Sequence, residues 1–553
     1  MPRLCAGLVL FLLSWPSAAA LADPYPRQPA IDIQHYTFRL SLDDASDEIR
    51  GETTVHVRFV RTGVTTVALD LVGREADTTG MTVVSVTRDG RPVSFTHAGD
   101  RLTITLGTPP AAGERRQFTI AYHGAPADGL IIANNRYGDR TFFGDNFPDR
   151  ARYWLPTLDH PSDKATCDFV ITAPAHYQAI ASGRLVEETS LPDGLRLTHW
   201  RTSAPTSTYL MVVGVARFAV QHVERLDGVP IQTWVYPQDR DAGFFDFSRT
   251  RRVLEFFRER IGPYSYEKLA NVQSTTRYGG MENAGTIFYG ERVVTGSRRV
   301  EGTVVHEVAH QWFGDAVTEA DWNHVWLSEG FATYFTHLFD EWAFGRDRLN
   351  SGMARDRDTV ARVRRSSPDL RIVDERVPIR EVLSAYTYQK GGWVLHMLRR
   401  KIGDDAFWLG VRAYHERYRN ATALSEDVQR EMEVASGQDL SVFFRQWLYE
   451  PGHPALDVSW RHDAARRVID LTVEQTQDSP VFVFDLDVGV TMADGARRVE
   501  TVSVSQRSQT FTISSTAEPA AIMLDPDVWL LFEGAVEQDQ PRPEGPGHTL
   551  ARR

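Results

Sequence analysis

Two histidines, His306 and His310, lie four residues apart with Glu307 next to the first, in the pattern H-E-x-x-H. On an α-helix this spacing places both imidazoles on one face, where they can occupy adjacent corners of a tetrahedral zinc site. Glu307 lies one step round the helix, so it is a neighbour of the metal and can take a proton from an attacking water. The pattern predicts a catalytic metal site, although such a short pattern also arises by chance on core helices.

A second helical pattern follows the first and supplies a third ligand. The apolar residues of the first pattern are Val300, Val304, Val305, Val308, Ala309 and Trp312. This helix is expected to end near Gly314, and the second pattern runs from Glu329 to Gly345. Eighteen residues separate His310 from Glu329, and antiparallel packing of the two helices would bring the carboxylate to the histidines. Two histidines, one glutamate and one water are the ligand set of an open, catalytic zinc site.

Three motifs in the same order resemble the M1 family of zinc aminopeptidases, which belong to the gluzincins. The first is Gly279-Gly280-Met281-Glu282-Asn283, which matches the exopeptidase motif G-x-M-E-N of that family. The second joins the H-E-x-x-H pattern to Glu329 within Trp326-Leu327-Ser328-Glu329-Gly330-Phe331-Ala332. The third is Tyr388-Gln389-Lys390-Gly391, which resembles the tyrosine segment Y-E-K-G. The resemblance implies one Zn²⁺ per chain, held by His306, His310 and Glu329.

The resemblance also implies roles for residues that would otherwise have ordinary explanations. Glu282 would bind the α-ammonium of the substrate, and the glycines Gly279 and Gly280 would let an extended peptide pair with the backbone. Met281 and Asn283 complete this segment, and Asn283 is expected to position Glu282. Taken alone, the segment would be interpreted as a turn.

Tyr388 is the residue that the resemblance assigns to the tetrahedral oxyanion, to which its phenol would donate a hydrogen bond. Tyr386 lies two residues earlier and is the rival for this role. A tyrosine ahead of a helix is more often a packed aromatic residue.

The N-terminal part also carries a segment that resembles the family, Ala151-Arg152-Tyr153-Trp154-Leu155-Pro156 followed by Asp159-His160-Pro161. Family members generally have a glutamine or glutamate shortly before it that helps to hold the substrate amine. A gapless match places Phe147 at that position here, with Asp145 and Asn146 beside it.

The fold class is expected to be multidomain α+β. Alternating apolar residues such as Tyr36, Phe38, Leu40 and Leu42 predict an N-terminal β-sheet domain over residues 23–222, which the resemblance makes a β-saddle. Helical patterns predict an α-rich, thermolysin-like catalytic domain over residues 223–450. Alternation returns in a small C-terminal β-sandwich over residues 451–534. Residues 535–553 are rich in proline and charge and are expected to be a disordered tail.

Residues 1–22 have the pattern of a secretory signal peptide: a basic start, an apolar run from Leu4 to Leu13 and an A-x-A-like end. The mature protein is expected to be exported to the periplasm or the extracellular space without a transmembrane anchor; the alternative is an uncleaved N-terminal anchor. Of two cysteines only Cys167 remains after cleavage, which excludes an intramolecular disulfide. The net charge of −12 gives no basic surface for nucleic acid.

These observations predict a zinc-dependent aminopeptidase that removes N-terminal residues from peptides with a free N-terminus. Glu307 would act as the base and Tyr388 would stabilise the oxyanion. Three alternatives stay open: a thermolysin-like endopeptidase, an epoxide hydrolase as in one branch of the family, and an inactive peptide-binding protein. The sequence does not predict which N-terminal residue is preferred.

Overall fold

The structure is a computed structural model that describes residues 23–74 and 79–539. The expected signal peptide, residues 1–22, and most of the expected tail lie outside the described residues. N-terminal β-sheets come first, a helical part that carries the metal motif follows, and C-terminal strands end the described chain. This order agrees with the predicted multidomain α+β class.

A large mixed sheet forms the body of the N-terminal part. Alternation explains it, because Tyr36, Phe38 and Leu40 of the strand Ile31–Ser41 are all buried on one face. In spatial order its main strands are Arg184–Ser190, Leu195–Arg201, Lys164–Pro174, Ile31–Ser41, Ile49–Phe59, Arg115–Ala125, Gly80–Arg88 and Arg91–Pro92. The short strand Thr206–Ser207 pairs with Lys164–Pro174.

Two smaller sheets complete the N-terminal part. One contains Gln178–Ala181, Val213–Ala216, Arg140–Gly144 and Leu130–Asn134, and the other contains Thr66–Asp70, Arg101–Thr105 and Phe95–Ala98. Their buried side chains share one core with residues from the metal-motif part of the chain, including Met281 and Trp322. The N-terminal sheets therefore pack directly against segments that flank the site.

A five-stranded sheet links the N-terminal part to the helices. Its strands, in spatial order, are Ala219–Leu226, Val229–Val235, Leu269–Ser274, Thr286–Gly290 and Gly280–Met281. The predicted domain boundary at 222/223 was wrong in detail, because it falls inside the first of these strands. This sheet was not predicted, because four of its strands lie in a region that was expected to be α-rich.

The helical part is built from nine α-helices in the described residues: Arg240–Asp246, Thr250–Arg260, Glu301–His310, Trp326–Phe344, Arg346–Ser366, Gly391–Ile402, Asp404–Tyr418, Ser425–Ser436 and Ser441–Phe444. π-Helical turns cover Tyr386–Lys390 and Arg445–Tyr449. A short two-stranded sheet pairs Val317–Glu319 with Ala421–Ala423.

We call Glu301–His310 the motif helix, Trp326–Phe344 the Glu329 helix and Tyr386–Lys390 the tyrosine turn. The motif helix ends four residues before Gly314, and the Glu329 helix starts three residues before Glu329. Gly345 ends the second helix with φ of 94°, which favours glycine.

Two sheets form the C-terminal part. One contains Ser508–Ser514, Val468–Gln475, Ala455–Asp463 and Glu533–Gln538, and the other contains Arg497–Val504, Phe484–Thr491 and Ala521–Leu524. The last strand, Glu533–Gln538, pairs in parallel with Ala455–Asp463. Residues 535–538 therefore belong to the sheet and not to the tail, which corrects the predicted end of the sandwich at 534.

None of the helices in the described ranges is both long enough and apolar enough to cross a membrane.

Candidate metal centre and active site

His306, His310 and Glu329 meet in one cluster. The Nε2 atoms of the two histidines are 3.0 Å apart, and each lies 3.3 Å from Oε2 of Glu329. The helical spacing of the histidines produces the first contact, and the packing of the Glu329 helix on the motif helix produces the others. The structure thus brings together the three ligands predicted from the sequence.

The donor set of this cluster fits a zinc ion. Its three ligand atoms all lie within 4.8 Å of one another, and two histidines with one carboxylate leave a fourth, open position on a tetrahedral metal. Burial opposes ionisation of Glu329, but the adjacent His310 and His306 outweigh it and lower the pKa of Glu329 to about 2. The carboxylate is therefore charged and ready to bind a cation.

A neighbouring serine, Ser328, to which the sequence alone gave no role, orients His310. Nδ1 of His310 lies 3.1 Å from the carbonyl oxygen of Phe313 and 3.0 Å from Oγ of Ser328. Donation from Nδ1 to the carbonyl leaves Nε2 free to bind a metal. Gly314 permits this arrangement, because a Cβ there would lie 2.3 Å from Oγ of Ser328. The only available signal was that Ser328 directly precedes Glu329.

Glu307 lies beside the cluster and not within it. A carboxylate oxygen of Glu307, one of Glu282 and a ring nitrogen of His310 lie within 4.8 Å of one another. Burial raises the pKa of Glu307 well above its ordinary value, which favours a group that accepts and then returns a proton. Gly280 packs against this carboxylate, because a Cβ at that position would lie 2.2 Å from Oε1 of Glu307.

The exopeptidase-like segment forms the edge of the five-stranded sheet. Gly280–Met281 pairs with Thr286–Gly290 on one side, and Gly290 N donates to Gly279 O at 3.1 Å. The other side of this strand is the end of the sheet order. An extended peptide can add to such an edge through backbone hydrogen bonds.

Gln311 ties this segment to the motif helix and was missed in the sequence. Its Nε2 donates to Glu282 O at 2.6 Å, and its Oε1 accepts from Gly285 N at 2.8 Å. Asn283 is buried, with Nδ2 3.5 Å from Met281 O. Burial also raises the pKa of Glu282, so a cation at this position would be needed to favour its charged form.

Tyr388 reaches the cluster from the tyrosine turn. Its hydroxyl donates to Oε1 of Glu329 at 2.7 Å, and its ring stacks on His306 with centroids 5.9 Å apart and planes within 7°. The rival residue, Tyr386, is fully buried, and its hydroxyl has no hydrogen-bond partner among the described residues. The geometry therefore gives Tyr388 access to the metal cluster.

Phe147 is enclosed by aromatic rings. It makes edge contacts with Tyr209, Tyr278 and Trp322, at centroid distances of 5.7, 6.1 and 5.2 Å. Tyr278 directly precedes Gly279. An apolar ring thus occupies the position where the resembled family has a polar side chain.

The two residues before Phe147 are engaged elsewhere. Oδ1 of Asp145 accepts from Thr276 at 3.0 Å, and Oδ2 lies 3.4 Å from Nε of Arg277. Asn146 donates to the carbonyl oxygen of Met211 at 2.7 Å. Both side chains are fully buried, so each is committed to contacts within the N-terminal part or with the loop that leads into the edge segment.

Comparisons with known proteins agree with this geometry. The model of the Peptidase M1 N-terminal domain matches residues 33–210, and the model of the Peptidase family M1 domain matches residues 245–447. The chain therefore belongs to peptidase family M1.

A solved structure with the same family name is similar to this chain. The M1 zinc metallopeptidase of Deinococcus radiodurans matches with a TM-score of 0.66 and 26% identity, over 78% of this chain and 96% of that chain. A mutant of that protein has been solved with a Tyr-Ser-Ala substrate bound.

A puromycin-sensitive aminopeptidase of Caenorhabditis elegans is 29% identical over 66% of this chain and 41% of its own length. A probable aminopeptidase 2 of Sulfurisphaera tokodaii is 26% identical over 69% of this chain and 50% of its own length. The chain spans about half the length, or less, of these curated relatives.

Proposed function

We propose that this protein is a zinc-dependent aminopeptidase that removes single residues from the free N-terminus of peptides. The observation that carries the proposal is the position of Glu282: a carboxylate next to Glu307 and His310, directly after the strand that ends the sheet order in the described residues. A peptide added to that edge would present its α-ammonium to Glu282 and its first peptide bond to the metal cluster.

His306, His310 and Glu329 would hold the zinc ion. Bound there, zinc would supply a Lewis acid that lowers the pKa of water and polarises a carbonyl group. Ser328 and the Phe313 carbonyl would keep His310 in the required tautomer.

Three side chains would transfer the proton, stabilise the oxyanion and bind the N-terminus of the substrate. Glu307 would take a proton from the attacking water on a carboxylate oxygen and return it to the leaving amine. Tyr388 would move its hydrogen bond from Glu329 to the developing oxyanion. Glu282 would fix the register, because its charge pairs only with an unblocked N-terminus.

Loss of the metal should abolish activity without unfolding the protein. We expect the purified protein to contain one zinc ion per chain, and a chelator to remove both zinc and hydrolysis of an aminoacyl para-nitroanilide, because three side chains hold the metal at an open site. His310→Ala should bind far less zinc, since it deletes one ligand. Elemental analysis beside a kinetic assay measures both quantities, and activity that survives complete removal of zinc would contradict the proposal.

Glu282→Ala should separate an aminopeptidase from an endopeptidase. Removing one partner of a desolvated ion pair costs about 2–5 kcal/mol, so kcat/KM for free-amine substrates should fall roughly 30-fold or more. Zinc content should not change, because Glu282 is not one of the three ligands. The measurement compares kcat/KM for matched peptides with free and acetylated N-termini.

A matched control for Glu282 is Glu291→Ala, which removes a partly exposed carboxylate just after the adjacent strand Thr286–Gly290. Its kcat/KM should stay near that of the wild type. Rapid internal cleavage of an acetylated peptide, together with an unimpaired Glu282→Ala variant, would identify an endopeptidase. The segment from Gly279 to Asn283 would then be a turn with no role in binding the substrate amine.

We also propose that residues 1–22 direct export and that the mature chain starts at Asp23, in the periplasm or outside the cell. Asp23 is buried, and its Oδ2 lies 2.5 Å from Nε2 of His160, which supports a mature chain that keeps Asp23. Sequencing the N-terminus of protein recovered from each cell fraction measures this. An intact Met1 terminus on cytoplasmic protein would be evidence against export.

A further inference from the structure

A buried lysine, Lys390, is the last residue of the tyrosine turn. Lys390 is 0% exposed, and its Nζ donates to the carbonyl oxygen of Gly452 at 2.7 Å. Nζ also lies 4.5 Å from the ring centroid of Tyr386. No ion pair of Lys390 is found among residues 23–74 and 79–539, and burial lowers the pKa of its amine to about 7. A buried amine with so few polar partners is costly whether or not it is protonated, so the position requires an explanation.

Gly452 lies where the helical part meets the C-terminal sheets. The next residue, His453, is fully buried with Nε2 3.1 Å from Oε1 of Glu533. The same carboxylate accepts a hydrogen bond from Nε of Arg364 at 2.8 Å. Glu533 begins the last strand of the C-terminal sheet. Lys390 therefore fastens the tyrosine turn to a junction held by two other parts of the fold.

The opposite side of the tyrosine turn is fixed by backbone packing. A Cβ on Gly330 would lie 2.9 Å from the Cα of Gly391 and 3.2 Å from the carbonyl oxygen of Thr387. The residue before Gly330 is Glu329, which accepts the hydrogen bond from Tyr388. The turn is thus clamped between the Glu329 helix and the C-terminal junction, with Tyr388 two residues before Lys390.

We propose that Lys390 is a positioning residue for Tyr388, and that the contact with Gly452 makes the placement of the phenol depend on the C-terminal sheets. The inference rests on the role proposed above for Tyr388. An uncharged hydrophobic side chain could fill the same space but could not hold the turn to the carbonyl of Gly452. The hydrogen bond, rather than the bulk of the side chain, is what the position supplies.

A double-mutant cycle tests the proposal in the full chain. Lys390→Met in the wild-type background should lower kcat for an aminoacyl para-nitroanilide about 10-fold or more, since small misplacement of a catalytic group is expensive. KM and zinc content should stay within about twofold. In the Tyr388→Phe background the same substitution should cause no further loss, because the group that it positions is already gone.

Lys401→Met is the matched control, because Lys401 is exposed on the following helix, Gly391–Ile402, and its kcat should not change in either background. Equal losses from Lys390→Met in both backgrounds would overturn the proposal, since they would indicate general support of the fold. Full turnover in Tyr388→Phe alone would instead refute the oxyanion role, and would leave Lys390 with no phenol to position.

If Lys390→Met does not fold, Glu533→Gln provides the second test. Glu533 is partly exposed, and glutamine keeps its shape while weakening the contacts with His453 and Arg364. We expect a smaller loss of kcat than for Lys390→Met. This loss should persist at saturating substrate and should be absent in the Tyr388→Phe background. A loss that persists in that background, or unchanged kcat in a folded Glu533→Gln protein, would overturn the proposal.

Discussion

Glu307→Gln should lower kcat by about 10²–10⁴-fold, the usual contribution of a general base, while zinc stays bound. Glutamine preserves the size of the side chain and its place against Gly280, but it cannot accept a proton. The three metal ligands, His306, His310 and Glu329, are untouched. The measurement is kcat at saturating substrate, beside the zinc content of the same preparation.

The control for Glu307 is Glu301→Gln, which makes the same chemical change at the start of the same helix. Glu301 pairs with Arg249 through 3.0 and 3.1 Å contacts at the surface, five residues before the nearer histidine, His306. We expect wild-type kcat and zinc content from this variant. Near-normal kcat in Glu307→Gln, with zinc retained, would remove Glu307 from the role of base.

Short-range spacing explains why the metal cluster could be predicted from the sequence. Four residues of helix fix the relation of His306 to His310, so no knowledge of the rest of the fold is required. The position of Glu329 could not be predicted from spacing alone, because its distance from the two histidines depends on how the two helices pack. The alternation of apolar and polar residues likewise predicted the strands of the N-terminal sheet, where Tyr36 and Phe38 are both fully buried.

The helix Arg346–Ser366 shows what the local pattern does not contain. Its buried residues are sparse, Leu349, Gly352, Met353, Val360 and Ala361, among many arginines and aspartates. Gly352 packs against His337 of the Glu329 helix, a contact made by two segments that the sequence does not relate. A weak apolar stripe of this kind predicts no helix on its own.

The residues that support the candidate site were missed for a similar reason. Gln311 and Ser328 act through hydrogen bonds to Glu282 and His310, which are distant from them in the sequence. Polar residues of this type are common beside any motif, so their presence alone predicts no role. Lys390 was noticed only as part of a motif, and its contact with Gly452 spans 62 residues. Such contacts follow from tertiary packing, which periodicity does not encode.

Tyr388→Phe should lower kcat by about 10²–10³-fold, the loss typical of one oxyanion donor, with KM and zinc content close to the wild type. Removing only the hydroxyl keeps the ring on His306, so the metal cluster should be undisturbed. Tyr386→Phe should keep full turnover, because its buried hydroxyl makes no hydrogen bond among the described residues. Parallel kcat and zinc measurements on the two variants test the register: exchanged phenotypes would show that the oxyanion donor is Tyr386, and two unimpaired variants would show that neither phenol stabilises the transition state.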